Sequence, residues 1–509
     1  MKRTALSCLA LLLSSTFCYA QPATPSAAQP AEAAPAEEAA QAPGVTQHTV
    51  TIAGNEIPYT ATAATIQLTN RKDEPLASVF YIAYTRDDID DTAQRPVMFC
   101  FNGGPGSSSI WLHMGCFGPR RVAFDDVGHT VGPPYELTDN HRSILDTTDL
   151  VFIDPVSTGF SQTEGDTSAA QYHSVSGDIR SVGEFIRLWI TENDRWRSPK
   201  FLAGESYGTT RAAGLSQHLQ GEGIAVSGVV LVSAVLNFQT LRFDEGNDLP
   251  YTLYMPTYTA LAHYHGKLAA DLADRELPEL LDEVETWARE TYTPALMRGR
   301  ELPADQRAAL IRDMARYTGL SEDMIDRSNL RVPQWRFGDA LLDDERSIIG
   351  RFDGRIVGPD LDRASDRSGT GDPSYYRVAP GFTASFNDYV RNELGYETSD
   401  NYEVLAGLGW NFDIARNSYP NISGDLRRAM TENPGLHVFV AAGYYDLATP
   451  YHAAEYTLNQ SITHPHAVDR LTMGYYESGH MVFTHGESLE KFRSDLLPFF
   501  EEAVAGNAE

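Results

Sequence analysis

The sequence predicts an α/β fold, with a mostly parallel central sheet flanked by helices and a largely helical cap inserted into it. Three observations carry this. The short apolar runs "RPVMFCF" (95–101), "DLVFIDP" (149–155) and "SGVVLVSAVLN" (227–237) are bounded by turn residues and read as buried parallel strands. Between the second and third, "YHSVSGDIRSVGEFIRLWITEND" places Val175, Ile179, Val182, Phe185, Ile186 and Trp189 on one helical face, which gives the strand–helix–strand alternation of a parallel sheet. After Asn237 the β-rich rhythm stops and resumes only late in the chain.

In chain order, "MKRTALSCLALLLSSTFCYAQ" joins a cationic start (Lys2, Arg3) to an apolar run from Ala5 to Leu13 that is too short to span a bilayer. With small Ala20 before Gln21 it reads as an export signal over 1–20, placing the mature protein in the periplasm or outside the cell. A lipid anchor at Cys18 fits less well, because Phe17 is bulky where a small residue precedes a lipid-modified cysteine. Residues 21–45 hold alanine, proline and glutamate with little to bury, and read as a disordered tether. The core begins at 46 with "TVTIAGNEIPYTATAATIQL" and "LASVFYIAYT", β-rich segments expected as an antiparallel meander, and its first part runs to 237. Residues 238–385 are expected as the cap, from charged helical stretches such as "LPELLDEVETWARETY" and "ADQRAALIRDMARYTGL" and the turn-rich "GPDLDRASDRSGTGDPSYY". The second part of the core, 386–509, holds a strand "LHVFVAAGYYD" (436–446) and a closing amphipathic helix "SLEKFRSDLLPFFEEAV".

Composition excludes some functions. Forty basic against sixty-nine acidic residues leave a formal charge of -29, which repels nucleic acid and anionic membrane surfaces. No segment reads as a membrane span, and the motifs GxxxxGK, GxGxxG, HExxH and CxxC do not occur, so neither a cofactor nor a metal is expected. His263 and His265 read as a polar helix surface, and Ala364 occupies what would be a ligand position of a calcium loop.

The chemistry is expected at "GESYG" (204–208), a GxSxG pattern with a strand, "KFLA", leading in and a helix, "TTRAAGLSQHLQ", leading out. That setting forces a serine hydroxyl out above the sheet, so Ser206 is the candidate nucleophile. A serine needs a base to take its proton and an acid to orient that base. His480, in the glycine-bounded loop "YYESGHMVF", and Asp446, at the end of the strand "LHVFVAAGYYD", supply them in the chain order Ser, Asp, His that this architecture uses. His485 is the alternative base. Asp154 also ends a strand but precedes the serine, and reads as a turn tether. The oxyanion donors are expected to be the amides of Tyr207, directly after the nucleophile, and Gly104, in the loop "FNGGPGSSS".

With these pieces in place the chain resembles the serine carboxypeptidase family, on the α/β-hydrolase fold, through four segments in the family's order: "FYIAYT" to "FNGGPGSSS", "DLVFIDPVSTGFS", "FLAGESYG", and "GYYDLATP" followed by "ESGHM". The resemblance implies a secreted or periplasmic serine carboxypeptidase that acts on peptides or proteins with a free C-terminal carboxylate; an esterase, acyltransferase or other peptidase on the same triad is the alternative. It also implies that Asn102 and Glu205 bind that carboxylate. Two carboxylates at hydrogen-bonding distance share a proton, so binding should weaken as pH rises and the enzyme should favour acidic pH. Where the family has a tryptophan two residues before the asparagine, and a glutamate shortly before a Gly-Pro pair, this chain has Cys100 and Cys116, with Gly118 and Pro119 following. Both positions belong to one local network in the family, which implies a disulfide Cys100–Cys116. The family's cysteine after NGGPG is Ser107 here.

Overall fold

The computed structural model describes residues 42–362 and 371–505. The export signal expected at 1–20, most of the tether expected at 21–45 and the segment around Ala364 lie outside the described residues.

Three long strands, β1 (Gly44–Ile52), β2 (Asn55–Thr69) and β3 (Pro75–Arg86), form the antiparallel meander at one edge of the sheet. The remaining strands follow as β4 (Val97–Phe101), β5 (Asp149–Ile153), β6 (Lys200–Glu205), β7 (Gly228–Val232), β8 (His437–Gly443) and β9 (Leu471–Tyr476). Their spatial order is β1-β2-β3-β5-β4-β6-β7-β8-β9; β3 meets β5 antiparallel and every later pair is parallel. β4 to β7 are buried on both faces, which is why they read as unbroken apolar runs rather than alternating ones. Along β4, Val97, Phe99 and Phe101 join one core while Met98 and Cys100 join the other. Each buried large apolar side chain stabilises by about 1.5–3 kcal/mol.

Helix α1 (Val175–Glu192) starts where Ser174 Oγ accepts the Gly177 N–H at 3.1 Å, and its apolar residues Val175, Ile179, Val182, Phe185, Ile186 and Trp189 are buried in the first core. Helix α2 (Tyr207–Gly221) follows β6 directly. The insertion between β7 and β8 contains α3 (Leu249–Tyr264), α4 (Leu277–Trp287) and α5 (Ala304–Thr318), which bury an apolar cluster of their own. The boundary expected at 385 falls inside a single helix, α6 (Pro373–Asn392), whose Val378, Phe382, Phe386, Tyr389 and Val390 pack into the second sheet core rather than into the cap. Helices α7 (Ser423–Glu432), α8 (Tyr451–Ser461) and α9 (Gly486–Ala505) complete the layers. This is the α/β-hydrolase fold. No helix among the described residues is long and apolar enough to cross a membrane.

Candidate active site

Because β4, β6, β7, β8 and β9 are parallel neighbours, the residues just past their carboxyl ends converge. Asn102 follows β4, Ser206 follows β6, Asp446 lies three residues past β8, and His480 four residues past β9. The turn from β6 into α2 is tight enough to hold Ser206 at φ 58° and ψ -128°, a conformation a non-glycine residue adopts only under strain. Its N–H is fixed by the β7 carbonyl of Val232 at 3.0 Å.

His480 is 3% exposed and Asp446 is fully buried. His480 Nδ1 donates to Asp446 Oδ2 at 2.7 Å, leaving Nε2 for the nucleophile. Asp446 is itself held, with Oδ1 accepting the N–H groups of Ala448 at 2.7 Å and Thr449 at 2.9 Å. Thr449 Oγ1 donates to Asp446 Oδ2 at 2.7 Å and lies 3.1 Å from His480 Nδ1. The His480 backbone is pinned at both ends, its N–H donating to Phe352 O at 2.6 Å and its carbonyl accepting Ser233 Oγ at 2.6 Å, while the Phe352 ring lies 5.1 Å from the imidazole. Burial alone would lower the imidazole pKa, but the Asp446 carboxylate and its hydrogen bond, with Glu205 beyond, outweigh it and leave the pKa raised. Ser206 and His480 line one cleft of about 280 Å³ without a direct hydrogen bond among the described residues; catalytic hydrogen bonds of this kind tighten in the substrate complex.

The loop after β4 is shaped for close approach. A Cβ on Gly103 would collide with the Tyr207 backbone nitrogen and stand 2.7 Å from that of Gly208, so only glycine lets this loop lie against the start of α2. Gly104 sits at φ 97°, which also demands glycine. The amides of Gly104 and Tyr207 donate to no acceptor among the described residues, and both residues line a second hollow that Ser206 shares. That is the state an oxyanion donor pair requires.

At the base of the cleft, Asn102 Nδ2 donates to Glu205 Oε2, and Asn102 Oδ1 accepts the Leu112 N–H at 3.0 Å. Both side chains are buried, and Glu205 Oε1 has no hydrogen-bond partner among the described residues. Desolvation pushes the Glu205 pKa up to about 7, with the His480 charge opposing and the Asp446 charge adding to the rise. A carboxyl of this kind keeps its proton in weak acid, and its second oxygen is buried without a partner among the described residues.

Asn102 is placed by a pair that the sequence does not announce. Arg211, on α2, donates through one guanidinium nitrogen to Asn102 O at 2.6 Å and through Nε to both oxygens of Asp178, on α1, at 3.0 and 2.8 Å. Thr449 is equally silent in the sequence; threonine two to four residues after a strand-end aspartate is too common a pattern to single out. Arg351, Phe352, Trp111 and Tyr375, which line the cleft, come from segments with no local motif.

The remaining residues singled out in the sequence have structural partners of their own. His485 Nδ1 pairs with Ser488 Oγ at 2.9 Å at the start of α9, and the residue does not line the cleft. Asp154 Oδ1 accepts the Ser109 N–H at 2.8 Å, tying the loop after β4 to the end of β5. His263 and His265 bond to the carbonyls of Arg275 and Gly354 at 3.1 and 2.7 Å. The disulfide implied by the family resemblance is not formed. Cys100 and Cys116 are free, buried thiols, and the Cys100 sulfur turns to the carbonyl of Met98 on its own strand at 3.9 Å. Both serve as small apolar groups in the second core, where burial raises each thiol pKa well above its ordinary value and suppresses the thiolate. Ser107 accepts Trp111 Nε1 at 3.0 Å and donates to Ser108 O at 2.9 Å, so hydrogen bonds hold the position where the family has a cysteine.

Comparison with known proteins gives the following likenesses. Residues 55–243 match the sequence model of the family described as serine carboxypeptidase. Serine carboxypeptidase-like 5 of Arabidopsis thaliana is 30% identical over 130 residues, 25% of this chain and 28% of that protein. Carboxypeptidase Y of Schizosaccharomyces pombe is 26% identical over 189 residues, 36% of this chain and 17% of that protein. The matched stretches span less than half the length of these relatives. The crystal structure of Kex1(delta)p, a prohormone-processing carboxypeptidase from Saccharomyces cerevisiae, superposes with a TM-score of 0.55 at 14% identity, covering 87% of this chain and 92% of that one, which shows the shared fold. The sequence likeness is thus confined to part of the chain, and the likeness over most of its length is one of fold.

Proposed function

We propose that this chain is a serine carboxypeptidase that releases C-terminal residues through an acyl-enzyme and favours acidic pH. The observation that carries the reading is the buried Asn102–Glu205 pair, with Glu205 Oε1 unpartnered, in the same cleft as Ser206 and His480. A plain esterase has no need of a desolvated carboxyl beside its nucleophile, whereas an exopeptidase must recognise a terminal carboxylate. Ser206 Oγ attacks the last peptide carbonyl as His480 takes its proton, the oxyanion forms toward the amides of Gly104 and Tyr207, and His480 returns the proton to the leaving amine. Water then cleaves the ester by the same steps in reverse roles. Export to the periplasm or the exterior belongs to the proposal and is supported by the first twenty residues.

The pH dependence has a definite sign. Below about pH 7 Glu205 is protonated and donates to the substrate carboxylate; above it the two carboxylates repel. KM for a peptide should therefore rise with pH above about 7, approaching tenfold per unit. Because His480 must be neutral to act as base, kcat falls on the acid side, and kcat/KM is bell-shaped. In Glu205→Gln the amide oxygen still accepts from Asn102 and the amide nitrogen donates at every pH, so the alkaline rise in KM should vanish. Steady-state kinetics from about pH 4 to about pH 9 test this; a flat wild-type KM would contradict the role of Glu205.

A further inference from the structure

The space around Ser206 is divided in two. The leaving amine takes its proton from His480, so the leaving residue must lie on the His480 side, in the cleft that also holds Asn102 and Glu205. A second hollow, of about 480 Å³, opens on the other side and shares with the first only Gly104, Pro105, Ser206 and Arg351. It reaches Tyr207 but not His480, so it faces the acyl half of the substrate. Phe238, Leu241, Tyr254, Trp410 and Phe412 give it apolar walls.

Among the described residues, the only charged side chains lining this hollow are Arg242 and Arg351. Neither guanidinium forms a salt bridge or a side-chain hydrogen bond among the described residues. Arg351 rests over the Phe352 ring at 5.2 Å and is held through its backbone, whose N–H donates to Asp372 Oδ1 at 3.1 Å and whose carbonyl accepts the Leu447 N–H at 3.1 Å. Both guanidiniums are close enough to act electrostatically on the buried Tyr254 hydroxyl, and Arg351 also acts on His480. In a chain of net charge -29, a substrate hollow with two unpaired cations and no carboxylate in its lining is a selective environment.

We propose that this hollow is an acyl-side subsite for an acidic side chain, glutamate or aspartate, on the residue whose carbonyl Ser206 attacks. The inference rests on the carboxypeptidase reading and names the substrate class of that same site. The aliphatic stem lies against the apolar wall, and the carboxylate pairs with Arg242 and Arg351, whose planar forks suit it. Both arginines are solvent-exposed at the rim, so the preference is of the order of tenfold rather than thousandfold. The overall negative charge slows encounter with an acidic peptide, and salt screens that effect and the local pairing alike.

The test compares two N-acylated dipeptides that share a leaving residue and differ only by glutamate or glutamine at the acyl position. At about pH 6 the wild-type kcat/KM ratio, glutamate over glutamine, should be near tenfold; it should fall toward one below about pH 4, where the substrate's own side chain is protonated. Arg242→Gln and Arg351→Gln should each lower the ratio. Arg242→Glu should shift preference toward a lysine analogue, a gain that misfolding cannot produce. A ratio of one or less at about pH 6, with both peptides cleaved, overturns the subsite and leaves the carboxypeptidase reading standing. Failure to cleave either peptide overturns that reading and the subsite with it.

Discussion

Ser206→Ala should reduce kcat by about 10⁴–10⁶-fold and abolish labelling by a fluorophosphonate probe, with the protein still folded. In the proposed mechanism the nucleophile is the one part with no substitute. His480 and Asp446 can only move its proton, and the amides of Gly104 and Tyr207 stabilise an oxyanion that forms only once Oγ has attacked. The backbone side of the argument can be separated from the chemistry. Residue 206 is held at φ 58° by the turn from β6 into α2, whatever its side chain. Alanine is strained there to about the same degree as serine, so thermal stability should hardly change, whereas Ser206→Gly should be equally inactive and more stable by about 1 kcal/mol. Calorimetry of the three proteins checks this. Inactive variants with wild-type or better stability show that the serine is retained for chemistry at the expense of backbone strain.

The second large effect is expected at Arg211, which is 1% exposed and bonded to both Asp178 and Asn102 O. Arg211→Met should destabilise the protein by about 3–5 kcal/mol, because it leaves the Asp178 carboxylate buried without its counter-ion. The strain of that burial is already visible: desolvation holds the Asp178 pKa above its ordinary value even with the guanidinium beside it. Adding Asp178→Asn to Arg211→Met should recover much of the loss, since the amide needs no counter-charge; denaturant unfolding of both singles and the double gives the coupling. The double variant also separates folding from function. It keeps the fold but loses the anchor on the Asn102 carbonyl, so KM for peptides should rise more than kcat falls. Equal stability of the Arg211→Met single and the double would show that the two residues are not a buried charge couple.

What was legible in the sequence follows from how local each determinant is. The buried parallel strands appear as unbroken apolar runs because both faces are covered, and α1 appears as a 3.6-residue period because only one face is. The positions of Ser206, Asp446 and His480 past the strand ends were readable because strand ends and turn residues mark where the chain passes over the sheet edge. α6 was not. It begins at the end of a turn-rich segment and carries Pro380 within it, so tertiary packing of Phe382, Phe386 and Tyr389 decides its helicity. Edge strand β9 escapes the sequence for a related reason, since only Gly474 and Tyr476 among its six residues are buried and the apolar signal is weak. The Asp178–Arg211–Asn102 link joins residues up to 109 positions apart, and no local pattern announces it. The unformed Cys100–Cys116 bridge has the opposite lesson: the pairing came from the family resemblance alone, and the structure keeps both residues as free, buried thiols of the second core.

The most direct measurement of the central claim compares one peptide with its C-terminally amidated twin at about pH 5, reading kcat/KM and the released products by mass spectrometry. If the Asn102–Glu205 pair recognises a terminal carboxylate, the free acid loses residues one at a time from its C-terminus and the amide is turned over at least about a hundredfold less efficiently. Equal turnover of the two, or cleavage inside the chain, would contradict the account.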